Sequence, residues 1–165
     1  MKIDMDKKEF ELRMVLQKDV KEIERLTRNL VKEKEKDELF DEKRFEWGIM
    51  RRIFDPLQRH GTFVAEDKKS GKLAGMIFSE LRVDPFGTSE AYIKQIHVDK
   101  EYRGKSLGKR LLTLALDSLK KFNIRVVKVN LPQETALLQK INNEFQFDDF
   151  KFQPTYTVME LKFED

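Results

Sequence analysis

The sequence predicts a mixed α/β domain with elements in the order β-α-α-β-β-β-α-β-α-β, and three features lead there. Residues 62–98 run through three strand-like stretches separated only by turn signals, K-K-S-G-K and D-P-F-G-T. The segments on either side carry apolar residues at spacings of three, four and seven, the pattern of a helix with one buried face. After residue 98, helical and strand patterns alternate, and a run of strands followed by such alternation indicates a mixed α/β architecture.

Glu11 to Leu16, E-L-R-M-V-L, reads as the first strand. Asp19 offers an N-cap with Glu22 three residues on, the spacing of a capping box. Val20, Ile23, Leu26, Leu30 and Val31 then mark one face of a helix to about Lys36. A second helix is expected over Glu42–Arg59, with Phe45, Ile49, Ile53 and Phe54 on one face. Strands follow at 62–67, 73–83 and 91–98. In the last of these, Ile93 falls off the face shared by Tyr92, Lys94, Ile96 and Val98, so the strand is either buried on both sides or bulged. Leu107, Leu111, Leu114, Ala115 and Leu119 stripe a helix from Ser106 to Phe122. R-V-V-K-V-N-L at 125–131 is a strand, 135–145 a short helix and 156–163 a final strand, with room for a further short strand near Phe147–Phe152.

A chain of 165 residues with no linker or repeat is expected to form one domain, 1–165. It has no run of 18 apolar residues and no signal-peptide pattern at its start, so neither a membrane span nor secretion is expected, and the absence of cysteine fits a cytoplasmic protein. Without cysteine there are no disulfides, no thiolate metal ligands and no cysteine nucleophile. No metal is expected. Charged residues form 38% of the chain, yet the net charge is only +3, which reads as a solvated surface rather than one built for nucleic acid.

The stretch that carries chemistry is V-D-K-E-Y-R-G-K-S-L-G-K-R-L-L at 98–112. It is not a P-loop, because Gly104 and Gly108 have three residues between them rather than four and Arg110 follows Lys109. Nor does it contain the G-x-G-x-x-G of a dinucleotide site. What remains is a loop of backbone amides that opens onto a helix N-terminus, where unsatisfied N–H groups and the helix dipole favour a phosphate or pyrophosphate.

The strand ending I-x-V, the D-K-E-Y turn and R-G-K-S-L-G-K-R-L-L together resemble motif A of the GNAT superfamily of acetyl-CoA-dependent N-acetyltransferases. Arg103 and Gly108 match the ends of its signature, and Ser106 stands where a glycine is usual. Ser106 either occupies left-handed backbone at some cost or sits right-handed and caps the helix or bonds a phosphate. The resemblance extends over the element order from about Glu11 to Phe163. It implies a central, mostly antiparallel mixed sheet flanked by helices.

The same resemblance implies acetyl-CoA as co-substrate, its pyrophosphate on Arg103, Gly104, Lys105, Ser106, Leu107, Gly108 and Lys109. The pantetheine arm would pair with the backbone of Ile96, His97 and Val98, and the Val98 N–H would be the oxyanion donor. An amine would attack the thioester directly. Glu90 is the first candidate to take its proton, with Tyr92 and His97 as others, and each of the three has an ordinary structural role as an alternative. Gln133 replaces the family's Asn ahead of a helix on which Lys140 falls at the position of the usual acid, a Tyr, and Tyr156 is a substitute hydroxyl. The implied acceptor is a small-molecule or peptide amine, with Phe45, Trp47, Met50 and Arg51 as candidate lining. Six acidic residues against two Lys over Ile141–Asp165 suit a cationic acceptor or simply a solvated surface. A homodimer is common in the family. A non-catalytic CoA-binding module of the same fold is the competing reading.

Overall fold

The computed structural model describes residues 9–34 and 40–129, nearly all within one compact unit, Met1–Lys128. Among the described residues, five strands form one sheet in the order β1-β2-β3-β4-β5: β1 Phe10–Met14, β2 Thr62–Asp67, β3 Leu73–Val83, β4 Ser89–Val98 and β5 Val126–Val129. The ladders β1/β2, β2/β3 and β3/β4 are antiparallel. Both expected hairpin turns form, and each places a glycine in left-handed backbone, Gly71 (φ +73°) and Gly87 (φ +82°). Among the described residues, three α-helices accompany the sheet: α1 Val20–Glu33, α2 Glu42–Phe54 and α3 Leu107–Lys121. The sequence-predicted elements over 135–145, 147–152 and 156–163 lie outside the described residues.

The apolar stripes decide which helix covers which face. Ile23, Leu26 and Ile49 from α1 and α2 pack with Val64, Leu73, Met76 and Phe78 on one side of the sheet. On the other side, Leu119 of α3 packs with Leu81 and Ala91, joined by Ile124 and Val127. Close approach of α3 depends on Gly75, where an added Cβ would meet the His97 carbonyl at 2.9 Å and Leu111 Cδ1 at 3.2 Å.

Three sequence expectations are corrected. Asp19 does not cap α1. Its carboxylate accepts instead from Arg13 Nη1 and Nη2 at 2.7 and 2.8 Å and from the Leu16 N–H at 2.7 Å, while Glu22 accepts from Arg25 and from the Leu73 N–H. Helix α2 ends at Phe54 rather than Arg59, because Pro56 disfavours helical backbone at Asp55, which is extended (ψ 116°). Phe54 itself is exposed rather than part of the buried face.

In β4 the register decides between the two alternatives that the sequence left open. Phe78 pairs with Gln95 but Ser79 pairs with Ile93, so Lys94 is the extra residue of a β-bulge. The bulge reverses the alternation midway. Tyr92 therefore shares a face with Gln95 and His97, opposite Glu80, Phe78 and Met76, whereas Ile96 and Val98 lie opposite Ile77 and Gly75 on the α3 side.

Candidate functional site

The segment between β4 and α3 is held at its entry from α1. Asp99 ends the strand and is buried. It accepts from Arg25 Nη1 at 2.7 Å, Asn29 Nδ2 at 3.3 Å and the Lys100 N–H at 3.1 Å. Burial alone would raise the Asp99 pKa, but the Arg25 hydrogen bond and charge outweigh it and hold the carboxyl below its ordinary value. Arg103 makes a second tie, from Nη2 to Glu33 of α1 at 2.8 Å and from Nε to the Val98 carbonyl at 3.0 Å.

Because the Asp99 carboxylate is favoured in the folded state, it contributes stability in full above its unfolded pKa of about 3.9, and that contribution is lost as pH falls through the lower folded value. The denaturation midpoint of the wild type is expected to fall more steeply below about pH 4 than that of Asp99→Asn. Urea titrations at a series of pH values read the difference directly.

After the short 3-10 turn Lys100–Tyr102, the chain passes through Gly104 at φ +82° and Ser106 at φ +57°, both left-handed. Arg103 before them is extended and the right-handed helix follows them, so these two left-handed residues turn the backbone sharply, a geometry that can line a concave surface with amides. A side chain on Gly104 would meet nothing within 4 Å, so the loop presents an open surface there. Helix α3 starts at Leu107, leaving the amides of Leu107, Gly108 and Lys109 with no carbonyl one turn back. Arg110 is the first to find one, donating to the Ser106 carbonyl at 3.0 Å. The Ser106 hydroxyl caps none of them. Of the two alternatives at this position, the structure takes the left-handed one. Ser106→Gly is expected to stabilise the fold by about 1 kcal/mol, because a left-handed L-residue loses roughly that much relative to glycine. Chemical denaturation of the two proteins is the check.

Other predicted loop residues divide by what they touch. Lys105 Nζ bonds Glu9 at 2.7 Å, Leu107 is buried in the core, and Lys109 is exposed on the first turn of α3. The loop therefore offers amides from most of its residues, while Arg103 and Lys105 spend their side chains on protein carboxylates.

Backbone direction at the end of β4 follows from the ladder. The Asp99 N–H donates to the Ala74 carbonyl of β3 at 2.9 Å. Alternation then turns the N–H and C=O of Val98 away from β3, and the Arg103 bond to the Val98 carbonyl agrees. Ile96 has the same backbone sense as Val98 and a half-exposed side chain. His97 is buried toward α1, its Nε2 has no hydrogen-bond partner, and burial pushes the imidazole below its ordinary pKa.

Glu90 and Tyr92 come together nearer the start of β4, on the face that also carries Gln95 and His97, with residues that sequence reasoning missed. Glu90 is buried, with Lys128 Nζ of β5 at 2.7 Å and Arg82 Nε of β3 at 2.8 Å. The Lys128 hydrogen bond, working against desolvation and aided by Arg82, holds its carboxyl below the usual range. The Tyr92 ring lies under the Arg82 guanidinium at 3.8 Å, with Lys94 and Lys128 ammonium groups at 5.4 and 5.3 Å. These partners come from three strands, and no local pattern announces them.

A cleft lies on the same face, between α1, α2 and β4. Of the four helix residues predicted to line an acceptor site, Phe45 borders it. Trp47 is exposed on the outer side of α2 with Arg51 stacked on its ring at 4.9 Å. Gln133, Lys140 and Tyr156 lie outside the described residues. Among the described residues, no group of three His, Cys, Asp or Glu is placed to hold a metal, and no helix is long and apolar enough to cross a membrane.

A model of the acetyltransferase (GNAT) family matches residues 19–140. No curated protein matches the sequence. Solved structures agree in fold. A possible acetyltransferase from Clostridium difficile 630 superposes with a TM-score of 0.74 at 20% identity, over 95% of this chain and 99% of that one. Glucosamine-6-phosphate N-acetyltransferase from Arabidopsis thaliana gives 0.60 at 16% identity, over 94% and 99%. The enzyme AAC(6')-Iy, in complex with the bisubstrate analogue CoA-S-monomethyl-acetylneamine, gives 0.66 at 13% identity, over 91% and 98%.

Proposed function

Because the chain belongs to the acetyltransferase (GNAT) family, we propose that it transfers the acetyl group of acetyl-CoA to a primary amine by direct attack within a ternary complex. The observation that carries this reading is the loop after β4, with left-handed backbone at Gly104 and Ser106 and a first turn of α3 whose amides receive no side-chain cap. The donor set of that loop fits a pyrophosphate. In this reading the backbone from Arg103 to Lys109 holds it, and Lys109 and Arg110 add positive charge. The side chains of Arg103 and Lys105 keep the loop in place through Glu33 and Glu9. Ile96, His97 and Val98 offer backbone to the pantetheine arm, and Gln133 is a further contact in the proposal.

Acetyl-CoA, when bound, supplies an activated thioester carbonyl. The Val98 N–H, directed away from β3, donates to the thioester oxygen as negative charge develops there, a contribution of about 3 kcal/mol in sites of this kind. Glu90 is a weak proton acceptor in this arrangement, since Lys128 and Arg82 stabilise its ionised form. We therefore assign it to ordering those cations around Tyr92, with the proton of the amine leaving through water. Tyr92 borders the acceptor side, and Tyr156 is kept as a hydroxyl donor to the leaving thiolate. The proposal takes residues 1–165 as a single catalytic domain in a cytoplasmic protein, with a homodimer as one form.

Calorimetric titration with acetyl-CoA tests the reading at its base. A single saturable site per chain is expected, and the absence of any binding heat or competition by CoA overturns it. The second reading, a CoA-binding module without turnover, draws on Ser106 in the place of the usual glycine. Binding without acetyl transfer to any amine would favour it.

A further inference from the structure

We propose that the cleft between α1, α2 and β4 binds a carboxylate or phosphate of the acetyl acceptor, so that the acceptor is an amine that also carries an acidic group. The proposal rests on the acetyltransferase reading and names its substrate class. The cleft has a volume of about 200 Å³. Among the described residues, five buried side-chain polar atoms have no hydrogen-bond partner, and three of them belong to residues bordering this cleft: Thr27 Oγ1, Arg52 Nε and Gln95 Nε2. Buried polar groups are nearly always paired in native folds, so three in one place point to a ligand that pairs them. Two are N–H donors and the third a hydroxyl that can donate, a set suited to acceptor oxygens.

Charge selects an anion. Arg44, Arg52 and Lys94 border the cleft, and no carboxylate does among the described residues. The nearby Glu80 is already engaged by Lys94 Nζ at 3.3 Å, and Arg44 sits at the rim beside Asp41. Arg52 Nη1 donates to the Gly48 carbonyl at 3.2 Å, which fixes the guanidinium and leaves Nε unpaired. Burial is the largest influence on Arg52 and pushes its pKa down, and the charge of Glu80 offsets this only in part, so a further negative group beside it relieves an unfavourable charge.

The bulge at Lys94 builds the site. With regular alternation Gln95 would point to the α3 side; the extra residue turns it to the cleft, opposite Phe78. Val98 lies three residues further along β4, about 10 Å at a strand rise of about 3.3 Å per residue. An acid held at Gln95 and Arg52 leaves the amine end of a small acceptor free to reach toward that strand end. A polycationic acceptor, by contrast, would be repelled from the cleft.

The test reads the cleft without turnover. Acetate and inorganic phosphate are titrated separately at constant ionic strength, and the Arg52 Nε–H and Gln95 Nε2 resonances are followed by NMR. Saturable shifts are expected with at least one anion, and which one separates a carboxylate from a phosphate acceptor. Arg52→Gln and the near-isosteric Thr27→Val, each checked for a native amide spectrum, should weaken that binding about tenfold or more, the value of a hydrogen bond to a charged group. Shifts confined to the 103–109 loop, or none at these two side chains, overturn the proposal. A parallel acetyl-CoA titration keeps the two readings apart. If acetyl-CoA binds and the anions leave Arg52 and Gln95 unmoved, this inference alone fails; if acetyl-CoA does not bind, the acetyltransferase reading fails. In turnover with matched acceptors, such as an amino acid and its amide or glucosamine with and without its phosphate, the acidic member of a pair should be preferred. Equal rates throughout would also overturn the proposal.

Discussion

Val98→Pro is expected to lower kcat about a hundredfold or more while acetyl-CoA still binds, because it deletes the one N–H assigned to the thioester oxygen. Proline is a severe substitution in most strands, since it removes a ladder donor. Here the ladder bond belongs to Asp99, whose N–H donates to the Ala74 carbonyl, and the Val98 N–H points the other way. The fold should therefore survive, which a native circular dichroism spectrum would establish. Val98→Ala keeps the N–H and should retain most of kcat. Equal losses in both variants would tie the defect to the side chain, which faces Gly108 and Gly75, and would remove the oxyanion assignment.

The second large effect concerns how α3, and with it the loop, is seated. Leu111→Ala should cost about 3 kcal/mol, as Leu111 is fully buried and its loss leaves a cavity. Gly75→Ala should cost about 1–3 kcal/mol by overpacking, since the new methyl would press on Leu111 Cδ1 and the His97 carbonyl. The two changes meet at one point. The double variant should be less destabilised than the sum, because truncating Leu111 makes room for the methyl. Strict additivity in denaturant unfolding would mean that the helix and strand do not meet at that point.

What could be read from the sequence was whatever depends on local pattern. The leucine stripe fixed the face of α3, the turn glycines placed both hairpins, and R-G-K-S-L-G-K announced a loop of amides before the helix. Ile93 breaking the alternation signalled either double burial or a bulge, and the register resolved it to a bulge at Lys94. Pro56 was equally visible, and by disfavouring helical backbone at Asp55 it ends the second helix short of Arg59.

Pairings between distant segments were not legible. Asp19 and Glu22 have capping-box spacing, yet Arg13 and the Leu73 amide claim their carboxylates. Glu90 looks like a catalytic carboxylate until Lys128, thirty-eight positions away, is seen at 2.7 Å. The cleft takes Thr27, Arg52 and Gln95 from three elements, and Gln95 reaches it only through the bulge. Nothing in the local sequence of any one of them marks it.

The central claim is acetyl transfer, and thiol release tests it most directly. Purified protein is mixed with acetyl-CoA and separate pools of amino acids, amino sugars and their phosphates, polyamines, aminoglycosides and peptides with free N-termini. The account predicts acceptor-dependent thiol release with at least one pool, matched by an N-acetylated product and strongly reduced in Val98→Pro. Acetyl-CoA binding with no release above the acceptor-free rate in any pool would contradict it and leave a fold that holds the cofactor without using it.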